Sequence, residues 1–165
     1  MSSTYSYYEF EIYDLTVPGN GYPIWLRVCE SGCGAGGGAG WKNGMNDYHW
    51  TLSHTDQSSG PTRLSGTKDL TRDHIQLTHD TVRIGNATGQ NFSGRVTVVN
   101  PSSTTSSKMI RFDSAYLNEN SNMSMITGVG TYVATPVATP AIVGIEFFTP
   151  SGNFASGTVK VYGCN

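Results

Sequence analysis

The stretch IVGIEFFTPSGNFASGTVKVYGCN, residues 142–165, decides the fold that the sequence predicts. In the run Ile142–Phe148, apolar residues occupy every second position from Val143 onward, which is the period of a strand with one buried face. The run Thr158–Tyr162 repeats this alternation. Proline, glycine, serine and asparagine lie between the two runs, and these residues are typical of turns. The segment therefore predicts an antiparallel β-hairpin.

The rest of the chain favours β-structure as well. No stretch carries apolar residues at helical spacing over three turns, whereas Gly, Pro, Thr and Asn interrupt the sequence at short intervals. The predicted strands are Tyr7–Leu15, Ile24–Cys29, Tyr48–Ser53, His74–Thr78, Thr81–Ile84, Arg95–Val99, Lys108–Phe112, Ser124–Ile126, Thr131–Ala134, Ile142–Phe148 and Thr158–Tyr162. This pattern predicts an all-β protein.

Several of these strands have one polar face. Tyr8, Phe10 and Ile12, for example, alternate with two glutamates. Sheets with one apolar face bury it by stacking about 10 Å apart in a sandwich. The many strands and the long connections favour a jelly roll over an immunoglobulin-like topology. We therefore predict a single-domain jelly-roll β-sandwich of two antiparallel sheets over residues 1–165.

Composition limits the partners that the chain can have. The 165 residues suit one domain, charged residues make up 13% of them, and the formal net charge is -2. Because so weak a charge does not steer a protein to polyanions, we predict no nucleic acid and no membrane as a partner. Residues Met1–Leu15 have no basic start and no continuous apolar stretch, so we expect no secretory signal and a product that stays in the cytoplasm.

The three cysteines are expected to be free thiols. Cys29, Cys33 and Cys164 are an odd number, and a domain of this length does not need disulfides for stability. The spacing of Cys29 and Cys33 would suit two ligands of a zinc ion, but the adjoining sequence lacks the other two. We therefore predict no metal there and interpret Cys29 as a small buried strand residue.

The sequence does not indicate catalysis. His49 and His54 are five residues apart, as are His74 and His79, and this spacing places each pair on opposite faces of a strand. Neither pair can chelate a metal without a turn between its members. No G-x-S-x-G motif is present, and the carboxylates are scattered along the chain. We therefore predict a protein that is not an enzyme, with no catalytic residue, no metal and no cofactor.

A glycine-rich segment, Ser31–Gly40, is predicted to be a loop. It is not followed by Gly-Lys-Ser or Gly-Lys-Thr and opens no helix, so it does not match a phosphate-binding loop. Gly36, Gly37 and Gly38 are the predicted exposed loop tip, together with Trp41. Trp41 itself has two open interpretations, as an anchor for the base of the loop or as a core residue.

Aromatic residues near the start of the chain are denser than one strand face needs, so some of them are expected to point outward. Tyrosine gives a large contact area at a modest cost in side-chain entropy, which suits protein contact and also sugar stacking. We favour protein contact. The candidate contact surface consists of Tyr5, Tyr7, Tyr8 and Tyr13 with Glu9 and Glu11.

The closing segment reads Ile-x-Phe-Phe-x-x-Ser-Gly-Asn-Phe-x-x-Gly-x-x-x-x-Tyr-Gly from residue 145 onward. It resembles the closing hairpin of a family of jelly-roll virion proteins of tailed bacteriophages. Weaker similarities follow the same order along the chain, at Leu26-Arg27-Val28, at Tyr48-His49-Trp50 and at residues 82–86 and 94–100. The cysteines and the loop Ser31–Gly40 depart from the family.

Members of this family look like single jelly-roll domains. They occur as capsid decoration or cement proteins, often as trimers, and also as modules in tail or adhesion assemblies. The resemblance implies a non-enzymatic virion protein that binds the major capsid protein on the outer capsid surface as a homotrimer, stabilises the shell and is assembled in the host cytoplasm. The alternative is a receptor- or carbohydrate-binding module of a tail or head fibre. Its ligand would be a host-surface glycan, bound by loops that carry Trp41, His54 and Tyr116.

Overall fold

The computed structural model describes residues 1–34, 40–44, 47–57, 63–133 and 140–165, and for residues 63–72 it describes the backbone alone. The strands are β1 (Tyr7–Thr16), β2 (Trp25–Cys29), β3 (Tyr48–Asp56), β4 (Arg63–Arg72), β5 (Ile75–Gln76), β6 (Phe92–Val99), β7 (Lys108–Leu117), β8 (Met123–Tyr132), β9 (Gly144–Phe148) and β10 (Ser156–Cys164). Across the described ranges, no helix has the length and apolarity needed to span a membrane.

The strands form two antiparallel sheets. The large sheet has seven strands in the order β10-β1-β6-β7-β8-β3-β4, and the small sheet has three in the order β5-β2-β9. The pairing is nested, because β1 lies beside β10, β2 beside β9 and β3 beside β8. Strands from the first part of the chain thus lie beside strands from its last part in both sheets. The predicted all-β sandwich of two antiparallel sheets is confirmed.

The core lies between the two sheets, and β7 illustrates how the sequence builds it. Its even-numbered residues from Lys108 to Tyr116 are buried, and its odd-numbered residues from Met109 to Ala115 are exposed. The small sheet contributes Leu26 and Val28 from β2 to the same core. Burying an aliphatic or aromatic side chain contributes about 1.5–3 kcal/mol, so this alternation supplies most of the drive for the two layers to stack.

The predicted C-terminal hairpin is wrong. β9 pairs with β2 in the small sheet, whereas β10 pairs with β1 in the large sheet. Residues 149–155 cross between the layers, and the Thr149 hydroxyl donates to the carbonyl oxygen of Ser151 at 2.8 Å within a turn that places Gly152 at a φ of 73°. Alternation reports that a strand has one apolar face, but it does not report which strand lies beside it.

Other strand boundaries also differ from the prediction. The predicted strand Thr81–Ile84 is absent, since only Ile84 forms isolated bridges. The segment Thr55–Lys68 has the polar composition of a loop and was predicted to be one, but its residues from Arg63 onward belong to β4. The predicted strand Ser124–Ile126 and the first two residues of the predicted strand Thr131–Ala134 belong to one strand, β8, which ends at Tyr132. Ala134 lies outside the described residues. Glycines at positions 128 and 130 interrupt the apolar alternation, so the sequence does not indicate that the strand is continuous. A Cβ at Gly128 would meet the Phe112 ring, and a Cβ at Gly130 would meet the Ile75 side chain.

The predicted free thiols are wrong for two of the three cysteines. Cys29 ends β2 and forms a disulfide with Cys33 across a turn in which Gly32 has a φ of 64°. The Cα atoms of the two cysteines are 6.0 Å apart, within the range that a disulfide spans. Cys164 at the end of β10 is free, as predicted. An odd number of cysteines was therefore compatible with one local bridge and one thiol.

Candidate protein-contact surface

Among the strands whose side chains the structure describes, β10, at one edge of the large sheet, is the most exposed. Within the described residues, β1 is its only hydrogen-bonded neighbour. Every residue from Ser156 to Gly163 is exposed, although three of them are large and apolar: Val159 is 40% exposed, Val161 55% and Tyr162 42%. Because successive side chains of a strand point to opposite faces, this exposure means that neither face of β10 is covered.

The inner face of β10 is open because the small sheet does not reach it. The edge strand β9 lies over β1, where the rings of Phe147 and Phe10 are 5.7 Å apart, and β10 extends one strand farther. Val159 and Val161 lie opposite Ile12 and Phe10 in the register, so they continue the core-facing side of β1. We call these two valines the apolar ledge.

The outer face of β1 and β10 carries the tyrosines, and we call this surface the tyrosine face. It consists of Tyr7, Glu9, Glu11 and Tyr13 on β1 and Lys160 and Tyr162 on β10. Tyr13 and Tyr162 are exposed, and the ammonium group of Lys160 lies 5.3 Å from the centre of the Tyr13 ring. A hydrogen bond with the Cys164 thiol raises the pKa of Tyr7 above its ordinary value. The predicted residues Tyr7, Tyr13, Glu9 and Glu11 therefore lie together.

Two tyrosine hydroxyls share the Glu11 carboxylate. The Tyr13 hydroxyl donates to Glu11 Oε2 at 2.7 Å, and Tyr162 bonds to the same carboxylate. Because these bonds favour the charged carboxylate, they hold the pKa of Glu11 below its ordinary value. The bonds also raise the pKa of Tyr13 and of Tyr162, since deprotonation would place two anions side by side. The tyrosine face thus keeps neutral hydroxyls around one anion at neutral pH.

Charges on the tyrosine face are balanced within the chain. Lys160, Glu11, Arg95 and Asp113 follow one another across four strands, so that positive and negative groups alternate. Arg95 also lies 3.5 Å from Glu9. Exposed pairs of this kind contribute little to stability, but they allow a surface to approach a partner of low charge without unbalanced ions.

Tyr8 does not belong to the contact surface, which corrects the prediction. It is 8% exposed and shares the inward face of β1 with Phe10, and its hydroxyl accepts a hydrogen bond from the Ser2 backbone N–H at 2.6 Å. Tyr5 is exposed as predicted and packs edge-on against Tyr8, with its ring over Gly163 of β10. Along β1, odd-numbered residues lie on the outer face and even-numbered residues on the inner face. Tyr8 was grouped with the outward tyrosines because so many tyrosines occur close together in this part of the sequence.

The predicted loop tip divides into two parts. Gly36, Gly37 and Gly38 lie outside the described residues. Trp41 is half-buried, forms a bridge with Cys29, and donates from Nε1 to the Gly34 carbonyl at 2.8 Å. It therefore anchors the base of the loop, and the prediction that it is part of an exposed tip is wrong.

The outer face of the small sheet is occupied by its own side chains. Arg27 forms an ion pair with Glu146, and its guanidinium lies 4.6 Å from the centre of the Phe148 ring and 5.6 Å from that of Trp41. The side chains of Arg27 and Glu146 are each about four-fifths buried. This face therefore presents less exposed apolar surface than β10 does.

The histidines lie in different surroundings. His49 is exposed and His54 is buried, so the prediction that they lie on opposite faces of a strand is confirmed. The His54 ring stacks on His79 at 4.5 Å, beside the buried Asp56. In the part of the chain that the structure describes, no three His, Cys, Asp or Glu side chains are grouped to hold a metal ion.

The loop platform expected for a glycan ligand is not formed. His54 and Tyr116 are both buried, and the Tyr116 hydroxyl donates to the Val82 carbonyl at 2.7 Å. Desolvation by burial raises the pKa of Tyr116 above its ordinary value. An open groove of about 620 Å³ does lie elsewhere, on the outer face of the large sheet. Its polar lining consists of Thr51, Ser53, Thr97, Arg111, Asp113 and Thr127.

Sequence reasoning missed the residues of β10 that complete the contact surface. Lys160 and Tyr162 were interpreted as part of a hairpin, and the apolar ledge as one half-buried face of it. No protein-family model, curated protein or solved structure matches the chain. What the chain does must therefore be inferred from its own residues and from the geometry of its surface.

Proposed function

We propose that the chain is a non-enzymatic structural protein of a tailed-phage virion, a decoration protein that binds the major capsid protein on the outer capsid surface. The observation that carries the proposal is the exposure of β10 on both faces, with the apolar ledge on one face and Tyr162 on the other. Contiguous exposed apolar surface marks sites of protein contact.

The tyrosine face has the chemistry of a contact surface. Tyrosines are enriched in the cores of protein interfaces, whereas lysine and glutamate are depleted there, so the charges of this face have to be neutralised by their neighbours. Tyr13 and Tyr162 share one carboxylate, and Arg95 balances Glu9. A protein that stabilises a shell works by buried area, and a standard interface takes about 800 Å² from each partner. The chain exposes 8208 Å², so such a contact would use about a tenth of its surface.

Binding to bare capsids tests the proposal. The purified chain is expected to add to expanded heads that lack it, with a saturable stoichiometry measured by co-sedimentation. A variant with Tyr13→Ala and Tyr162→Ala is expected to lose most of this binding. A matched control with Met123→Ala and Met125→Ala removes two exposed side chains from β8 and is expected to bind like the parent chain. Equal binding by both variants, or no binding by the parent, would contradict the proposal.

The groove on the large sheet favours a second candidate, a host-surface glycan as ligand. Its threonine and serine hydroxyls, with the guanidinium of Arg111 and the carboxylate of Asp113, offer both donors and acceptors to a polyol. Binding on a glycan array, lost on Arg111→Ala and retained on Tyr162→Ala, would place the ligand in the groove. Absence of any bound glycan would remove this candidate and leave the first one untouched.

A further inference from the structure

The open edge of β10 has a defined pattern of backbone groups. The Leu117 N–H donates to the Asn91 carbonyl at 3.4 Å, so the odd-numbered residues of β6 bond to β7 and its even-numbered residues bond to β1. The bond from the Asn100 N–H to the Ser6 carbonyl, at 2.9 Å, agrees with this. Ser6 itself precedes β1, and its N–H donates to the Cys164 carbonyl at 2.9 Å. Because the backbone of an antiparallel strand bonds alternately to its two sides, even-numbered residues of β1 bond to β6 and odd-numbered ones bond to β10. The residues of β10 opposite even-numbered positions, namely Val159, Val161 and Gly163, therefore direct their N–H and C=O groups to the open edge.

This edge lacks the devices that usually keep edge strands apart. Natural edges are blunted by proline, by bulges or by lysine side chains. The sequence of β10 contains no proline, and its register with β1 is regular from Thr158 to Cys164. The one lysine, Lys160, lies on the outer face with its ammonium group 5.3 Å from the Tyr13 ring, so its charge is turned onto β1 and away from the edge.

We propose that β10 pairs antiparallel with β10 of a second copy of this chain, about a twofold axis at Val161. In an antiparallel pair, two side chains that lie directly opposite each other are on the same face of the sheet. A twofold axis between two copies of β10 meets this condition only when it passes through a residue and not between two residues. An axis at Lys160 would place two ammonium groups directly opposite, which is unfavourable. An axis at Val159 would bring Gly157, which has a φ of 133°, into the paired segment. The axis at Val161 avoids both.

In this register, Val161 meets its own copy and Val159 meets Gly163 of the second chain. Each of these pairs exchanges two backbone hydrogen bonds, because their N–H and C=O groups face the seam. On the inner side, the apolar ledges of the two copies join into one strip between the two β9 edges. Apolar surface that is exposed in the single chain is thereby reduced.

Charge complementarity on the outer face also selects a second copy. Lys160 comes to lie opposite Tyr162 of the second chain, whose neighbour on β1 is Glu9. Each lysine then stands between Glu11 of its own chain and the Tyr162 and Glu9 side chains of the other. The two tyrosine faces become continuous across the seam. This pairing goes beyond the proposed function, because it needs no capsid and is measured on the isolated chain.

The association state is the first test. Sedimentation equilibrium from low micromolar to millimolar concentrations is expected to show a monomer–dimer equilibrium. Val161→Lys places like charges at the axis and is expected to raise the dissociation constant at least about 100-fold. Met123→Lys, at a residue that is 62% exposed on β8, is the matched control and is expected to leave it unchanged. A monomer at all concentrations, or the trimer expected from the sequence resemblance, would overturn the proposal.

Cross-linking tests the register itself. In a Cys164→Ser background, Val161→Cys places two thiols across the axis at the Cα separation of a hydrogen-bonded pair, about 5.5 Å, which a disulfide can span. Mild oxidation is expected to give a covalent dimer of this variant. Val159→Cys faces Gly163 of the second chain and is expected to cross-link far more slowly. Equal rates for the two variants would overturn the pairing at Val161.

Discussion

β7 and β10 have the same local pattern and opposite surroundings. Both alternate in side-chain type, and both pair antiparallel with a neighbour, yet β7 is buried at every second residue and β10 is exposed throughout. The difference arises because β7 lies at the centre of the large sheet, whereas β10 extends beyond the small sheet that would cover it. Alternation therefore shows how a strand distributes its side chains, and the position in the sheet decides whether they are buried.

The largest expected difference between the two strands is in side-chain truncation. Phe112→Ala on β7 removes a buried ring and is expected to lower the free energy of unfolding by about 3–5 kcal/mol, because it leaves a cavity. Val161→Ala on β10 is expected to change it by less than about 0.5 kcal/mol. Urea denaturation at low protein concentration measures both values without a contribution from association. A comparable loss for the two variants would show that β10 is covered in the isolated chain.

A smaller difference is expected when a methyl group is added. A Cβ at Gly128 of β8 would meet the buried Phe112 ring, and overpacking of this kind costs about 1–3 kcal/mol. A Cβ at Gly163 of β10 would meet the Tyr5 ring, which is exposed and can move into solvent, so we expect a cost below about 1 kcal/mol. Thermal melting of Gly128→Ala and Gly163→Ala compares them, at about 2–4 °C per kcal/mol. Equal shifts in the melting temperature would contradict this comparison.

The smallest expected effect is the pH dependence of the tyrosine face. The pKa of Glu11 lies below its ordinary value of 4.5 because Tyr13 and Tyr162 bond to its charged form. The stability that it contributes is therefore present above this value and is lost as the pH falls through the pKa of the folded protein. Tyr13→Phe is expected to move the pKa of Glu11 back toward 4.5 in an NMR titration of the carboxyl carbon.

Tyr22→Phe is the matched control for this titration, because Tyr22 packs against the core away from Glu11. We expect it to leave the pKa of Glu11 unchanged. An identical titration of Glu11 in the parent chain and in Tyr13→Phe would show that the Tyr13 hydroxyl does not bond to it in solution.

Local patterns in the sequence predict the β class and the central strands. β1, β3 and β7 begin at Tyr7, Tyr48 and Lys108 as predicted, because their alternation is set by burial of one face. Pairing between strands was not predictable in the same way, since it depends on contacts between distant segments. β4 was missed because RLSGTKDLTR shows no apolar alternation, and β8 was divided because glycines occupy two inward positions.

The candidate site was predicted in part. Parity along β1 correctly selects Tyr7, Glu9, Glu11 and Tyr13 for the outer face, and the same parity assigns Tyr8 to the core. Nothing in the local sequence indicates that β10 completes this face, because Lys160 and Tyr162 reach Glu11 and Glu9 only through the pairing of β1 with β10. Those residues could be recognised only from the topology.

The pairing of β1 with β10 also determines when, during synthesis of the chain, this edge of the large sheet can form. Tyr7 lies opposite Cys164, so a ribosome has to add almost the whole described chain before β1, which already has β6 on one side, gains its second neighbour. Pairing between such distant segments is slow to form. Because β10 is exposed on both faces, the two layers can close on each other before it emerges. We therefore expect β10 to dock onto two layers that have already packed and, by docking, to complete the contact surface.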